Sequence, residues 1–137
     1  MPETVIGHVL GRLKAIGIED VFGVPGDFAF PVNDAIVNYP GINWIGCCNE
    51  LNAGYAADGY ARIRGTGAVS TTYGVGELSA LSAIAGACAE HLPVFHLVAC
   101  RAGRSSSAAP WCITRWATAS SNSSAKWPSR WYAPAPS

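Results

Sequence analysis

Apolar and polar positions along residues 1–98 switch repeatedly between a helical and a strand period. Residues 3–16 place Val5, Val9, Leu10, Leu13 and Ile16 on one helical face, with Thr4 near the start and Gly17 just past the end. Residues 20–24 read as a short buried strand that runs into the tight turn Gly23-Val24-Pro25-Gly26-Asp27. A second helix is expected over 28–38, with Pro31 tolerated in its first turn and Tyr39-Pro40-Gly41 stopping it. Residues 42–47 read as a second strand, 49–64 as a helix rich in Ala and Tyr that ends before Gly65-Thr66-Gly67, and 68–72 as a third strand. A helix of small residues over 75–90 and a fourth strand over 93–98 complete the pattern. Strands that alternate with helices imply right-handed crossovers. The predicted fold class is therefore α/β, a three-layer doubly wound parallel sheet with helices on both faces. Ligands of such sheets sit beyond the carboxyl ends of the strands, which puts Gly26-Asp27, Asn49-Glu50 and residues 73–76 on one rim.

Two carboxylates on that rim carry the candidate chemistry. Asp27 follows a strand end in a Gly-flanked turn, and Glu50 follows the apolar run Trp44-Ile45-Gly46-Cys47-Cys48 and opens a helix. A Glu in such a setting is poorly hydrated, which suits proton transfer near neutrality. The plainer alternatives stay open at this point: Glu50 as a first-turn acid complementing the helix dipole, and Asp27 as a turn residue or N-cap. Gly74-Val75-Gly76 has the look of a phosphate turn, but the third Gly of the dinucleotide fingerprint is missing and no acid follows at a strand end about 20 residues on. His8 on an amphipathic helix and His96 in a strand read as structural, and no metal-ligand spacing appears.

Charge and composition change the picture at Val98. The nine Asp and Glu all precede it, with four of the nine Lys and Arg, so residues 1–98 are formally −5 and residues 99–137 are +5. Residues 99–137 also hold nine Ser, four Pro and four of the five Trp, a composition that predicts a disordered tail behind a folded body. An acidic body without a basic aromatic stripe argues against nucleic-acid binding. No apolar run approaches the roughly 20 residues that span a bilayer, and no basic segment leads into an apolar stretch as in a signal peptide. The five Cys lack CxxC spacing and read as reduced thiols of a cytoplasmic protein.

The motifs VFGVPGDF (21–28), CCNELNAGYAADGYAR (47–62), TTYGVGELSA (71–80) and AEHLPVFHLV (89–98) stand in this order along the body. Together they resemble the N-terminal, pyrimidine-binding domain of thiamine-diphosphate-dependent 2-oxo-acid decarboxylases, the pyruvate and indolepyruvate decarboxylase group. Asn49-Glu50 followed by Leu51-Asn52 favours the decarboxylases over the related acetolactate synthases. The resemblance covers essentially all of 1–98 and implies a partial thiamine-diphosphate-binding domain there, with 99–137 outside it. It implies that Glu50 hydrogen-bonds the pyrimidine ring nitrogen and promotes the imino tautomer that takes the thiazolium C2 proton. Asp27 would help protonate the carbon that carbon dioxide leaves, and Val24, Pro25 and Thr72 would border the pyrimidine. It further implies a homodimer or tetramer with its active site between two subunits. Two adjacent histidines would complete the acid–base network, and a C-terminal domain would hold the diphosphate and a magnesium ion.

Neither the His pair nor that domain is found past Val98. A single base lost there accounts for this. Each codon of the neighbouring frame then joins the third base of one observed codon to the first two of the next. Ala99-Cys100-Arg101 can then encode GMP, and Trp111 onward can encode VHHTLGDGEFELFREMAEPVVCARAI, which contains the family's HHTLG. Some of those residues are forced, among them Trp116-Ala117, which must give Gly, Trp127-Pro128, which must give Ala, and Trp131-Tyr132, which must give Val. The tail is thus expected to be an out-of-frame translation, with a sheet edge left uncovered, very weak cofactor affinity and no decarboxylation by the chain alone. Whether the chain is itself an enzyme stays open; the alternative is a non-catalytic subunit that pairs with an intact decarboxylase.

Overall fold

The computed structural model describes residues 4–100 and the backbone of 112–114. Helix α1 (Val5–Ala15) starts at Thr4, whose Oγ1 accepts from the Gly7 N–H at 3.1 Å, and carries Arg12 and Lys14 in its last turn, with the Lys14 Nζ donating to the Pro40 carbonyl at 2.6 Å. Strand β1 (Asp20–Gly23) leads to α2 (Phe30–Val37), and β2 (Asn43–Gly46) to α3 (Glu50–Arg64). Asn49 caps α3 by accepting from the Asn52 N–H at 2.9 Å, and Gly65 closes it in a left-handed conformation. Strand β3 (Gly67–Thr72) is followed by α4 (Val75–Ser79), α5 (Leu81–Ala89) and β4 (Val94–Ala99).

The strands lie in the order β2-β1-β3-β4, all parallel, with a fifth strand, β5 (Cys112–Thr114), antiparallel on the outside of β4. Successive strand residues feed opposite cores. On one face Val21, Ala68 and Leu97 pack against Leu10 and Leu13 of α1 and Val32 and Ile36 of α2. On the other, Val69 and Val94 pack against Ala53, Ala57 and Ala61 of α3 and Ile84 and Ala87 of α5. These are the three layers that the alternation predicts. Among the described residues no helix is long and apolar enough to cross a membrane.

Three details differ from the sequence expectation. On α1, Leu10 and Leu13 are buried, but Val5 and Ile16 at the two ends of the apolar face stand mostly in solvent, beyond the reach of the sheet. The helix expected over 75–90 is two helices that meet at Ala80. No Pro or Gly breaks it there. The junction lies beside α3: a Cβ placed on Gly54 would lie 2.6 Å from the Ala83 Cβ and 3.6 Å from the Ala80 carbonyl oxygen. Finally, the sheet is not purely parallel, because three residues of the tail form β5. The expected disorder of the rest of the tail lies outside the described residues.

Candidate functional site

In the order β2-β1-β3-β4 the crossovers leave β1 and β3 in opposite directions, so the topological switch point lies between these two strands. The ends of such strands diverge and leave a crevice where ligands of doubly wound sheets bind. Here the crevice is lined by small groups. A Cβ added at Gly26, beyond β1, would lie 2.7 Å from the Thr72 Cβ at the end of β3. A Cβ added at Gly76 would lie 3.1 Å from the Thr72 Cγ2 and 3.2 Å from the Glu50 Oε1. Thr72 is therefore held between two backbone segments that only glycine allows so close, and the Glu50 carboxylate reaches the same place from the first turn of α3.

The polar atoms of this cluster are not used up by the fold. The Thr72 Oγ1 is buried without a hydrogen-bond partner. Glu50 is half-buried, and no side-chain hydrogen bond or ion pair engages it among the described residues. A buried hydroxyl left unsatisfied costs about 1–3 kcal/mol, so the pair is arranged for a polar partner that the described residues do not supply. Asp27 sits one residue past Gly26 on the exposed side of the 26–29 turn, which the Ala29 N–H closes onto the Gly26 carbonyl at 2.7 Å. Val24 is half-buried and Pro25 exposed on the segment between β1 and that turn. The five residues singled out in the sequence thus share one rim. Thr72 and Glu50 meet at Gly76, while Asp27, Val24 and Pro25 line the approach from β1.

Two buried groups near this rim were not given roles in the sequence. Glu77 is 9 % exposed, and its Oε2 accepts from the Gly74 N–H at 3.4 Å. Burial raises the Glu77 carboxyl above its ordinary range, and the Gly74 bond only partly offsets this. Its spacing three residues past Gly74 is that of the acid in a capping box, the signal that marks it in the sequence. His96, read as structural, is 3 % exposed and shares a 2.8 Å hydrogen bond between its Nε2 and the Thr71 Oγ1. Burial lowers its pKa to about 4, so the ring is neutral at physiological pH. Next to Thr71, Thr72 turns to the other face of β3, so the His96–Thr71 bond fixes the strand end that carries the unpartnered hydroxyl.

Comparison with known proteins connects this rim to a cofactor. Residues 4–123 match the family model described as "Thiamine pyrophosphate enzyme, N-terminal TPP binding domain". The chain belongs to this thiamine pyrophosphate enzyme family. It is 59 % identical over 95 residues to the alpha-keto-acid decarboxylase of Mycobacterium ulcerans (strain Agy99), an alignment covering 69 % of this chain and 17 % of that protein. The proteins of the same name from Mycobacterium leprae (strain TN) and Mycobacterium avium (strain 104) are 58 % and 55 % identical over the same length and shares. The chain thus spans about a sixth of the length of the curated relatives it matches. The family's cofactor, thiamine pyrophosphate (the same compound as thiamine diphosphate), fits the residues present. Its aminopyrimidine offers a ring nitrogen and an amino group, which complement an unpaired carboxylate and an unpartnered hydroxyl in a cleft kept narrow by two glycines.

Proposed function

We propose that this chain carries the pyrimidine-binding half of the active site of a 2-oxo-acid decarboxylase. The intact enzyme would convert pyruvate, indolepyruvate or phenylpyruvate to an aldehyde and carbon dioxide. The observation that carries the reading is that the Glu50 carboxylate and the Thr72 methyl converge on Gly76 at the β1/β3 switch point, while the buried Thr72 hydroxyl faces Gly26, with no hydrogen-bond partner for carboxylate or hydroxyl among the described residues. Thiamine diphosphate, when bound, supplies a nucleophilic carbon and takes up the electron pair that carbon dioxide leaves behind. Glu50 would hold a proton at the pyrimidine ring nitrogen, and its half-buried place beside Gly76 keeps competing water away from that contact. Thr72 would satisfy a second polar atom of the ring edge. Val24 and Pro25 would pack against the ring, and Asp27, exposed on the same rim, would deliver a proton at the reacting carbon.

The diphosphate, magnesium and the histidine pair belong, on this reading, to parts of the family that the chain does not carry. Residues 1–98 form the partial domain, and 99–137 read a neighbouring frame of the same gene. The relatives align over 95 residues, a length close to that of 1–98, while the family match runs from residue 4 to 123. Sequencing the locus across codon 98 settles the second point, since a neighbouring frame without HHTLG near Cys112 overturns it. The chain alone, on this reading cytoplasmic, would release no carbon dioxide from a 2-oxo acid. The alternative is a non-catalytic subunit that pairs with an intact decarboxylase, which co-purification with a full-length partner would favour.

The half-site is tested by binding. Thiamine diphosphate titrated into the purified chain should move the amide resonances of residues 26, 50, 72 and 76 in the nuclear magnetic resonance spectrum, with weak affinity. Glu50→Gln and Thr72→Val should each weaken this binding severalfold, as the loss of one hydrogen bond of about 1 kcal/mol does. Shifts confined to other surfaces, or unchanged by both substitutions, would remove the assignment.

A further inference from the structure

The turn that presses Gly76 against Glu50 is not held by its own backbone alone. Gly74 adopts φ 69° and ψ −104°, a conformation that other residues rarely take. It reverses the chain from β3 into α4 and brings Gly76 so close to Thr72 and Glu50 that an added Cβ would lie 3.1 Å from the Thr72 Cγ2 and 3.2 Å from the Glu50 Oε1. Among the described residues, the side chain that hydrogen-bonds this turn is Glu77, through the Gly74 N–H. Gly74 has no side chain of its own to cap α4, so the cap is one-sided and Glu77 supplies all of it.

An acid that only caps a short helix has no need to leave water. Exposed Glu residues cap equally well, and a buried carboxylate carries a desolvation cost. Glu77 is nevertheless buried to 9 % exposure, with no ion pair among the described residues. Its burial is explained by where it is held, at the base of the turn on whose far side Gly76 meets Glu50.

We propose that Glu77 is a positioning residue of the pyrimidine half-site: by accepting the Gly74 N–H it fixes the 74–76 turn, and that turn sets where the Glu50 carboxylate and Thr72 stand. The proposal rests on the reading of Glu50 and Thr72 as the half-site, but its structural core can be measured without the cofactor. Hydrogen exchange and the side-chain carboxyl resonance of Glu50 are followed at pH 7 in the purified chain and in Glu77→Ala and Glu77→Gln. In Glu77→Ala the amides of 74–76 should exchange about fivefold faster, the size expected for one lost hydrogen bond. The Glu50 carboxyl resonance should move, while the amides of β1 and β4 keep their protection. Gln keeps an acceptor oxygen and should restore both the exchange rates and the Glu50 resonance. A role confined to helix capping would change exchange in 74–76 and leave the Glu50 resonance in place, and this result overturns the proposal. So does a Glu77→Gln chain that behaves as Glu77→Ala. If the Glu50 resonance responds as stated but thiamine diphosphate does not bind, the positioning role stands and the cofactor reading fails.

Discussion

His96 and Glu77 are buried ionisable side chains whose burial acts on stability with opposite signs. The folded protein holds the His96 ring neutral, with its pKa lowered to about 4 by burial beside Thr71, against 6.5 for the free side chain. Between those values the unfolded chain binds a proton that the folded one refuses, so stability falls as pH drops from 6.5 towards 4 and changes no further below that. The shift corresponds to about 3 kcal/mol at most. Glu77 runs the other way. Its folded pKa is raised, so its contribution is present below the ordinary carboxylate value and is lost as pH rises through the raised one. The His96 part is isolated by urea unfolding of the protein and of His96→Gln at steps between pH 4 and 7. Gln retains a hydrogen-bonding group for Thr71 but does not titrate, so the difference in stability between the two proteins should fall steadily as pH falls through this window. A constant difference would mean that His96 takes up its proton equally in the folded and unfolded chains and that burial does not hold it neutral. The sequence singles out Glu50 and Asp27 as candidates, because strand ends beside glycine are where such sheets place chemistry, while helix-dipole and turn or cap readings stay open for them. It marks Glu77 only by its spacing from Gly74, and the Thr71–His96 pair not at all, because a contact between neighbouring strands has no signature in either one.

At the scale of elements, local pattern carries far for the same reason it fails at Ala80. Apart from the division between α4 and α5, the helices and strands of residues 4–99 follow from their own apolar period and stop signals, Thr4, Asn49, Gly65 and Tyr39-Pro40-Gly41 among them. The break between α4 and α5 has no such signal, since it arises where α3 and this helix pair approach through Gly54. That contact predicts a specific cost. In Gly54→Ala the new methyl would stand 2.6 Å from the Ala83 Cβ, so one helix must shift. Overpacking of this kind costs about 1–3 kcal/mol, and the better helix propensity of Ala returns about 0.5–1 kcal/mol. The net loss should be about 0–2.5 kcal/mol in urea unfolding, the difference of those two effects. Ala83→Gly in the Gly54→Ala background removes the opposing methyl. The double variant should then be more stable than the sum of the two single changes allows. Strict additivity would show that the approach of α3 is not what bends the helix.

For the whole molecule the open question is how the sheet ends. The body reads from its pattern as four parallel strands with the β4 edge bare beyond Val98, and a bare edge is a template for pairing with other chains. The fold instead lays β5 along that edge, with Val98 opposite Cys112, Leu97 opposite Ile113 and His96 opposite Thr114. A three-residue strand is too short to show a period of its own, and its partner lies across a chain segment that composition reads only as polar. That is why the pairing was not legible while the rest of the sheet was. The edge it covers belongs to an apolar strand whose residues 96–99 are all buried, so losing β5 exposes hydrogen-bonding groups directly above a hydrophobic core. Ile113→Pro tests this at its centre, because proline lacks the N–H and does not fit a paired strand interior. The expected outcome is a rise in dimers and larger species in sedimentation velocity, growing with protein concentration, while far-ultraviolet circular dichroism still reports the helices of the body. Unchanged sedimentation would show that β5 does not guard the edge and that something other than the tail keeps the β4 side of the sheet from pairing.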